Sequence, residues 1–208
     1  MKIKNLILDL GGVLYDLDYE KTRQAFSQLG LKDGFSQAKQ TALFDDLEEG
    51  KISKTVFIQE LSILCENPEV HPDQIIAAWN AMLLGMKEEK FSLLKKLGKQ
   101  YKLFLYSNTN EIHLEQVWKH YQEVHGIKDL NDYFFQVYLS NEMGIRKPKE
   151  SGFNKIVEEH FLIKNETLFI DDSPQHVQGA VSAGINALWL NLEKEDLASL
   201  LSKNGLVS

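Results

Sequence analysis

Asn5-Leu6-Ile7-Leu8-Asp9-Leu10-Gly11-Gly12-Val13-Leu14 is the stretch that decides the fold. The run Asn5–Leu8 has strand length and no apolar/polar alternation, so it reads as a strand buried on both faces. It stops at a carboxylate. Two more runs repeat that design: Lys102-Leu103-Phe104-Leu105-Tyr106 stops at Ser107-Asn108, and Thr167-Leu168-Phe169-Ile170 stops at Asp171-Asp172. Phe135–Leu139 and Ile185–Leu190 are further strand candidates. Helical patterns lie between them. Glu88–Lys99 carries Phe91, Leu94 and Leu97 on one face, Lys149–Phe161 follows Pro148, and Pro174–Ala183 runs from Ser173 to Gly184. Pro suits a first helical turn, Ser an N-cap and Gly a helix stop. Strands alternating with helices predict an α/β fold: a parallel sheet covered on both faces.

Residues 16 to 86 break the alternation and read as helices only. Tyr19–Leu29 ends at Gly30, and Ser36–Glu48 ends near Gly50. Ser53 caps a segment with Val56, Phe57, Leu61 and Leu64 at helical spacing, and Pro72 opens another through Ile75, Ile76, Trp79 and Leu83. The expected organisation is an α/β core from residues 1–15 and 87–208, with residues 16–86 inserted as a helical cap above the carboxyl end of the first strand.

The 208-residue chain is 43% hydrophobic and 25% charged, an ordinary globular composition. Its net charge of −7 comes with no block of five like charges, which argues against a nucleic-acid partner. No apolar run approaches a membrane span, and Asp9 cuts the opening apolar stretch too short for a signal-peptide core. A single cysteine, Cys65, leaves no intrachain disulfide framework and no thiolate zinc cluster. A cytoplasmic protein, monomeric or weakly dimeric, is the expectation.

Right-handed crossovers put the carboxyl ends of parallel strands on one edge of the sheet, where open α/β folds bind ligands. Asp9, Ser107-Asn108 and Asp171-Asp172 should therefore converge there. Asp9 reads either as a turn-holding carboxylate or as a nucleophile or metal ligand, with Gly11-Gly12 letting backbone approach a small ligand. Three crowded carboxylates call for a hard cation, and oxygen-only ligation points to Mg²⁺. Asn108 with Glu111 resembles a capping arrangement, and a helix N-terminus there would suit an anion. Lys147, fixed beside Pro148, is either a loop lysine or a cation aimed into the crevice. Asp171 and Asp172 are unneeded for capping if Ser173 does that work. His120 and His125 lack metal spacing and read as surface residues.

Taken in order, Asp9-Leu10-Gly11-Gly12-Val13-Leu14, Tyr106-Ser107-Asn108-Thr109-Asn110, Lys147-Pro148 and Phe169-Ile170-Asp171-Asp172-Ser173 resemble the four motifs of the haloacid dehalogenase-like hydrolase superfamily. Glu49-Gly50-Lys51-Ile52-Ser53, Ala78-Trp79-Asn80 and Gly144-Ile145-Arg146-Lys147-Pro148 are similar to the branch containing bacterial α-glucose-1-phosphate phosphatase. The resemblance implies a Rossmann-like core with a helical cap and Mg²⁺-dependent phosphoryl transfer on a small phosphorylated substrate, such as a sugar phosphate. Asp9 would become an aspartyl phosphate. Mg²⁺ would be held by Asp9, the Gly11 carbonyl and Asp172, with Asp171 behind them or acting through water. Ser107 and Asn108 would hold phosphate oxygens, Lys147 would balance charge, and the cap with the loop at Tyr15 would set the substrate. Two positions depart from the family pattern. Gly11 stands where most of its phosphatases carry an acid/base Asp, and His176 stands where many members carry Asp or Asn. A 2-haloacid dehalogenase, or a phosphate-ligand binding or interaction module without turnover, are the other readings.

Overall fold

The computed structural model describes residues 2–31, 35–36, 39–40, 42–65, 69–126 and 130–207. Its strands are β1 (Asn5–Leu8), β2 (Asp16–Leu17), β3 (Phe35–Ser36), β4 (Lys39–Gln40), β5 (Leu83–Gly85), β6 (Lys102–Ser107), β7 (Gln136–Leu139), β8 (Thr167–Asp171) and β9 (Asn186–Trp189). The helices are α1 (Tyr19–Gln28), α2 (Ala42–Glu48), α3 (Lys54–Leu64), α4 (Pro72–Asn80), α5 (Glu88–Gly98), α6 (Glu111–His125), α7 (Ser140–Met143), α8 (Glu150–Glu159), α9 (Pro174–Ser182) and α10 (Leu197–Lys203).

The order β7-β6-β1-β8-β9 forms one parallel sheet with β1 at its centre. Both faces are buried, which explains the unbroken apolar runs. Successive side chains alternate between two cores. Leu6, Leu8, Leu103, Leu105, Leu168 and Ile170 pack with Phe91, Leu94, Val117 and Leu201 of α5, α6 and α10. Ile7, Phe104, Tyr106 and Phe169 turn the other way, onto Phe153, Ile156 and Ala180 of α8 and α9. Asn5, buried at the start of β1, is satisfied by donating to Thr167 Oγ1 at 3.1 Å.

Helices α1 to α4 build a third core from Phe26, Phe44, Phe57, Leu61 and Trp79. They are entered and left through β2 and β5, which pair antiparallel, Asp16 opposite Gly85 and Leu17 opposite Leu83. Side-chain caps start three of the helices. Asp18 accepts from Glu20 N, Ser53 accepts from Val56 N, and His71 with Gln74 makes a capping box. The helix expected over Ser36–Glu48 begins only at Ala42. Phe35–Ser36 and Lys39–Gln40 pair as short antiparallel strands instead, a ladder that takes backbone groups a helical turn would have used, and residues 37, 38 and 41 lie outside the described set. No helix among the described residues is long and apolar enough to cross a membrane.

Candidate active site

The sheet delivers β1, β6 and β8 with their carboxyl ends side by side, so Asp9, Ser107-Asn108 and Asp171-Asp172 meet as the strand-end rule requires. Asp9, Ser107, Asn108 and Asp172 border a cavity of about 330 Å³, whose lining also includes Gly11, Tyr15, Tyr19, Trp79, His113, Arg146, Lys147 and His176, while Asp171 is fully buried behind it. Lys147 is the hub. Its side chain is completely buried, and Nζ lies 2.7 Å from Asp9 Oδ1 and 2.6 Å from Asp171 Oδ2. A buried ammonium holds its proton only beside compensating charge. Burial alone would lower its pKa, but Asp171 and Asp9 outweigh that and hold it above the usual lysine range.

Asn108 explains how Lys147 is held. Its Oδ1 accepts from Lys147 N at 2.8 Å, and its Nδ2 donates to Lys147 O at 3.0 Å. The amide thus clamps the lysine's backbone, leaving its second N–H for another acceptor. Ser107 is buried beside it, its hydroxyl 3.4 Å from the Asn108 carbonyl. The expected cap at Asn108 is corrected: α6 is capped by Asn110, whose Oδ1 accepts from Ile112 N and His113 N at 3.1 Å each. Two residues farther along, Asn110 sits directly at the first helical turn, where an Asn can reach the free N–H groups.

The acidic pair divides its work differently from the sequence expectation. Ser173 makes no side-chain cap; Asp171 Oδ1 accepts from Ser173 N at 2.8 Å instead. His176 Nδ1 lies 3.0 Å from the same oxygen. Burial raises the Asp171 pKa, but Lys147 and then the His176 hydrogen bond overcome it and keep the carboxyl ionised well below the usual range. That carboxylate implies the proton is on His176 Nδ1, and burial followed by the Lys147 charge lowers the imidazole's pKa. The neutral ring is therefore a poor general acid at neutral pH.

Asp9 and Asp172 behave in the opposite sense. Burial, then the Asp171 charge, raises Asp9 well above the ordinary carboxylate value, with Lys147 opposing. The same two causes push Asp172 up to about 6. Three carboxylates share one ammonium, and this deficit of positive charge is what a divalent cation would remove. The oxygen-rich donor set fits Mg²⁺. Asp9, Asp171 and His176 also offer ligand atoms within 4.8 Å of one another, although Asp171 and His176 already engage each other. Gly12 has a different use from the expected approach to ligand. At φ +72°, a Cβ there would lie 2.3 Å from Asp172 Oδ2, so glycine makes the room Asp172 occupies.

Tyr15 lines the cavity but is only 2% exposed, its ring set edge-on against His120 and Tyr121. His120 and His125 are corrected as well. Both are half-buried rather than on the surface, because Tyr15 and Phe91 pack their rings beneath α6. Trp79 is a core residue of the helical segment, stacked on His113 at 4.4 Å and surrounded by Phe26, Phe44 and Phe57. Sequence reading missed Tyr19, Asp45, Glu48, Arg146 and His113, all in the cavity lining. Only Arg146, adjacent to Lys147, carried any signal.

The sequence matches the haloacid dehalogenase-like hydrolase family over residues 3–184. The chain belongs to that family. This haloacid dehalogenase-like hydrolase is 35% identical over 178 residues to a D-ribitol-5-phosphate phosphatase of Bacteroides thetaiotaomicron, covering 84% of this chain and 85% of the relative. Its fold matches a wild-type HAD family enzyme of the same organism, solved with magnesium and inorganic phosphate, at TM-score 0.83 and 34% identity over 95% of this chain and 98% of that one. A predicted HAD-like family hydrolase from Porphyromonas gingivalis matches at TM-score 0.86 and 31% identity over the full length of both chains.

Asp172→Asn removes one of the crowded charges. A raised carboxyl pKa makes the folded, metal-free hydrolase less stable above about pH 6, and the cost fades as pH falls through the pKa toward 4. The variant should therefore be more stable than the wild type at pH 7.5 without metal, by on the order of 1–3 kcal/mol. It should gain less from added MgCl₂. Thermal melts at pH 7.5 and 4.5, with and without Mg²⁺, check this; equal Mg²⁺-induced shifts in both proteins would remove Asp172 from the cation site.

Proposed function

We propose that this chain hydrolyses the phosphate monoester of a small sugar or sugar alcohol, with Mg²⁺ as cofactor. The observation that carries the reading is Lys147, buried and bridging Asp9 and Asp171 at the edge of the cavity. A strand-end carboxylate fixed by one cation, with two further carboxylates beside it, suits an attack on phosphorus balanced by a metal. Asp9 Oδ1 is held by Leu10 N at 2.7 Å and by Lys147, which leaves Oδ2 to attack. The P–O bond to the leaving alcohol breaks as the Asp9 Oδ2–P bond forms, and the departing alkoxide takes a proton from solvent water. A second water then attacks phosphorus, the Asp9–P bond breaks, and the water's proton passes to solvent, which returns the Asp9 carboxylate and inorganic phosphate.

Asp9, the Gly11 carbonyl and Asp172 would hold Mg²⁺, which supplies charge neutralisation for the phosphoryl oxygens. Lys147 neutralises the same charge from behind Asp9, and Asn108 keeps it aimed while its remaining N–H, with the Ser107 hydroxyl, serves phosphate oxygens. Asp171 orients Lys147 through its 2.6 Å contact. Residues 16–86 act as a cap that excludes water and shapes the far end of the pocket. The ribitol-phosphate phosphatase relative supports a neutral polyhydroxyl group as the leaving alcohol.

Gly11 puts no carboxyl near the leaving oxygen. A positioned general acid contributes about 10²–10⁴-fold. Without one, rates should fall steeply as the leaving group becomes more basic. The test measures phosphate release from ribitol 5-phosphate, α-glucose 1-phosphate and aryl phosphates of graded acidity, with Mg²⁺ and with chelator. Turnover only with Mg²⁺, and a steep aryl series, are expected. On leaving-group grounds the 1-phosphate departs more easily than the primary alkoxide of ribitol, while the pocket walls set binding. No phosphate release from any ester would overturn the proposal in favour of a binding module, and halide release from a 2-haloacid would favour a dehalogenase.

A further inference from the structure

Helix α6 lines the cavity with His113 and Val117, four residues apart and therefore on one face. Leu17, Met82 and Leu83 add apolar lining from the two ends of the inserted segment. His113 is buried, and its two ring nitrogens have different surroundings. Nε2 lies 3.2 Å from Trp79 O. A carbonyl oxygen only accepts, so Nε2 carries the proton and Nδ1 keeps a lone pair. Burial pushes the imidazole pKa down to about 4, with the hydrogen bond to Trp79 O opposing, so the ring is neutral at pH 7. Nδ1 has no hydrogen-bond partner among the described residues, yet it is not sealed from solvent. Fastening the inserted segment does not account for that nitrogen. The bond to Trp79 O uses Nε2 alone, and Thr22 holds the same helix end. Its hydroxyl lies 2.9 Å from Ala78 O and accepts from Met82 N at 3.0 Å.

We propose that His113 Nδ1 opens onto the cavity and accepts a hydrogen bond from a hydroxyl on the alcohol portion of the substrate, which makes His113 a specificity-determining residue. This rests on the sugar- or sugar-alcohol-phosphate reading above and adds to it a named contact on the leaving alcohol. A polyhydroxyl chain presents C–H surface to Leu17, Met82 and Val117, and an O–H donor to Nδ1. A hydrocarbon ester of the same length fills the same space, but it displaces water from Nδ1 and supplies no donor in return. A buried acceptor left without a donor costs about 5–100-fold in affinity. Sites built to hydrogen-bond a substrate hydroxyl reject analogues lacking it for this reason.

The test compares kcat/KM for ribitol 5-phosphate and 1-pentyl phosphate, which share a primary leaving oxygen and differ in their hydroxyls. Two replacements of His113 separate its nitrogens. A Gln amide reaches the position of Nε2 and can keep the bond to Trp79 O. An Asn amide reaches the position of Nδ1 and can keep an acceptor at the cavity. Wild type should prefer ribitol 5-phosphate by at least about tenfold. His113→Gln should lower that preference ratio about tenfold, whereas His113→Asn should retain the ratio and melt at a lower temperature. A ratio unchanged in His113→Gln, or lowered more by Asn than by Gln, would overturn the proposal, because fastening alone moves both esters alike. Nitrogen NMR of Asp9→Asn gives a reading without any change at His113. The Nδ1 resonance should lie in the unprotonated range and shift upfield with ribitol 5-phosphate but not with 1-pentyl phosphate. Equal shifts with both esters would overturn the proposal too. If wild type with Mg²⁺ releases phosphate from neither ester, the phosphatase reading fails on its own. Calorimetric affinities of wild type and both His113 variants for the two esters then decide the inference by the same ratios, and no binding of ribitol 5-phosphate to wild type would overturn it.

Discussion

Asp9→Asn should abolish turnover while leaving the fold intact. The amide is nearly isosteric and can keep the hydrogen bond from Leu10 N, but its oxygen is a poor nucleophile and carries no charge for Lys147 to balance. On the proposed role of Asp9 as nucleophile, its removal should cost on the order of 10⁴–10⁶ in kcat. Stability should move the other way. Asp9 is buried, and its pKa is raised by burial and Asp171, so the ionised form is a strained resident of the metal-free site. The neutral amide relieves that strain, and the variant should melt at or above the wild-type temperature in chelator. Phosphate release and thermal melts on the same preparation check both halves. A variant with kcat within tenfold of wild type would remove Asp9 as nucleophile. Beryllofluoride with Mg²⁺ should bind wild type and fail to bind the variant.

Lys147→Met should be the most damaging single change to stability. Its ammonium is the positive partner of both Asp9 and Asp171, and Asp171 is completely buried. Removing one member of a buried pair leaves an uncompensated charge and costs about 3–5 kcal/mol. The pH dependence follows from the sign of the shift. Lys147 holds Asp171 below its usual pKa, so without it the carboxyl in the folded state takes up protons more readily. The folded variant then gains stability as pH falls, and the deficit should be largest near pH 8 and shrink toward pH 5. Turnover should drop by about 10²–10³, as for loss of one preorganised electrostatic donor. Denaturant titrations of both proteins at pH 8 and 5 measure this; a deficit that grows toward pH 5 would show that Lys147 does not stabilise ionised Asp171.

The sheet and its strand-end residues were legible because burial on both faces leaves an unmistakable mark. Leu6 to Leu8, Leu103 to Tyr106 and Leu168 to Ile170 are apolar without alternation, and a polar residue ends each run where the sheet meets its crevice. Capping was misread by small distances. Asn108 and Asn110 have identical chemistry, and only the placement of the first helical turn decides which of them reaches Ile112 N. Ser173 looked sufficient for α9 until Asp171 took the backbone bond. The helix start at Ala42 was hidden because local pairing of Phe35–Ser36 with Lys39–Gln40 leaves no periodicity to read. Asp45 and Glu48 were invisible for a different reason. In sequence, charges at a helix end look like a solvated face, and only the docking of α2 beside the 144–148 loop turns them inward.

The pairing of Asp16–Leu17 with Leu83–Gly85 has a consequence for how such a molecule diversifies. The two ends of the helical segment are neighbours in space, so whatever lies between them can lengthen, shorten or be swapped without shifting the register of β1 against β6 and β8. The strand-end carboxylates are inherited from the sheet, whereas α2 and its acidic side chains travel with the insert. On the proposed function, grafting a different module between Leu17 and Leu83 should retarget the molecule toward another alcohol while the strand-end carboxylates stay where the sheet put them.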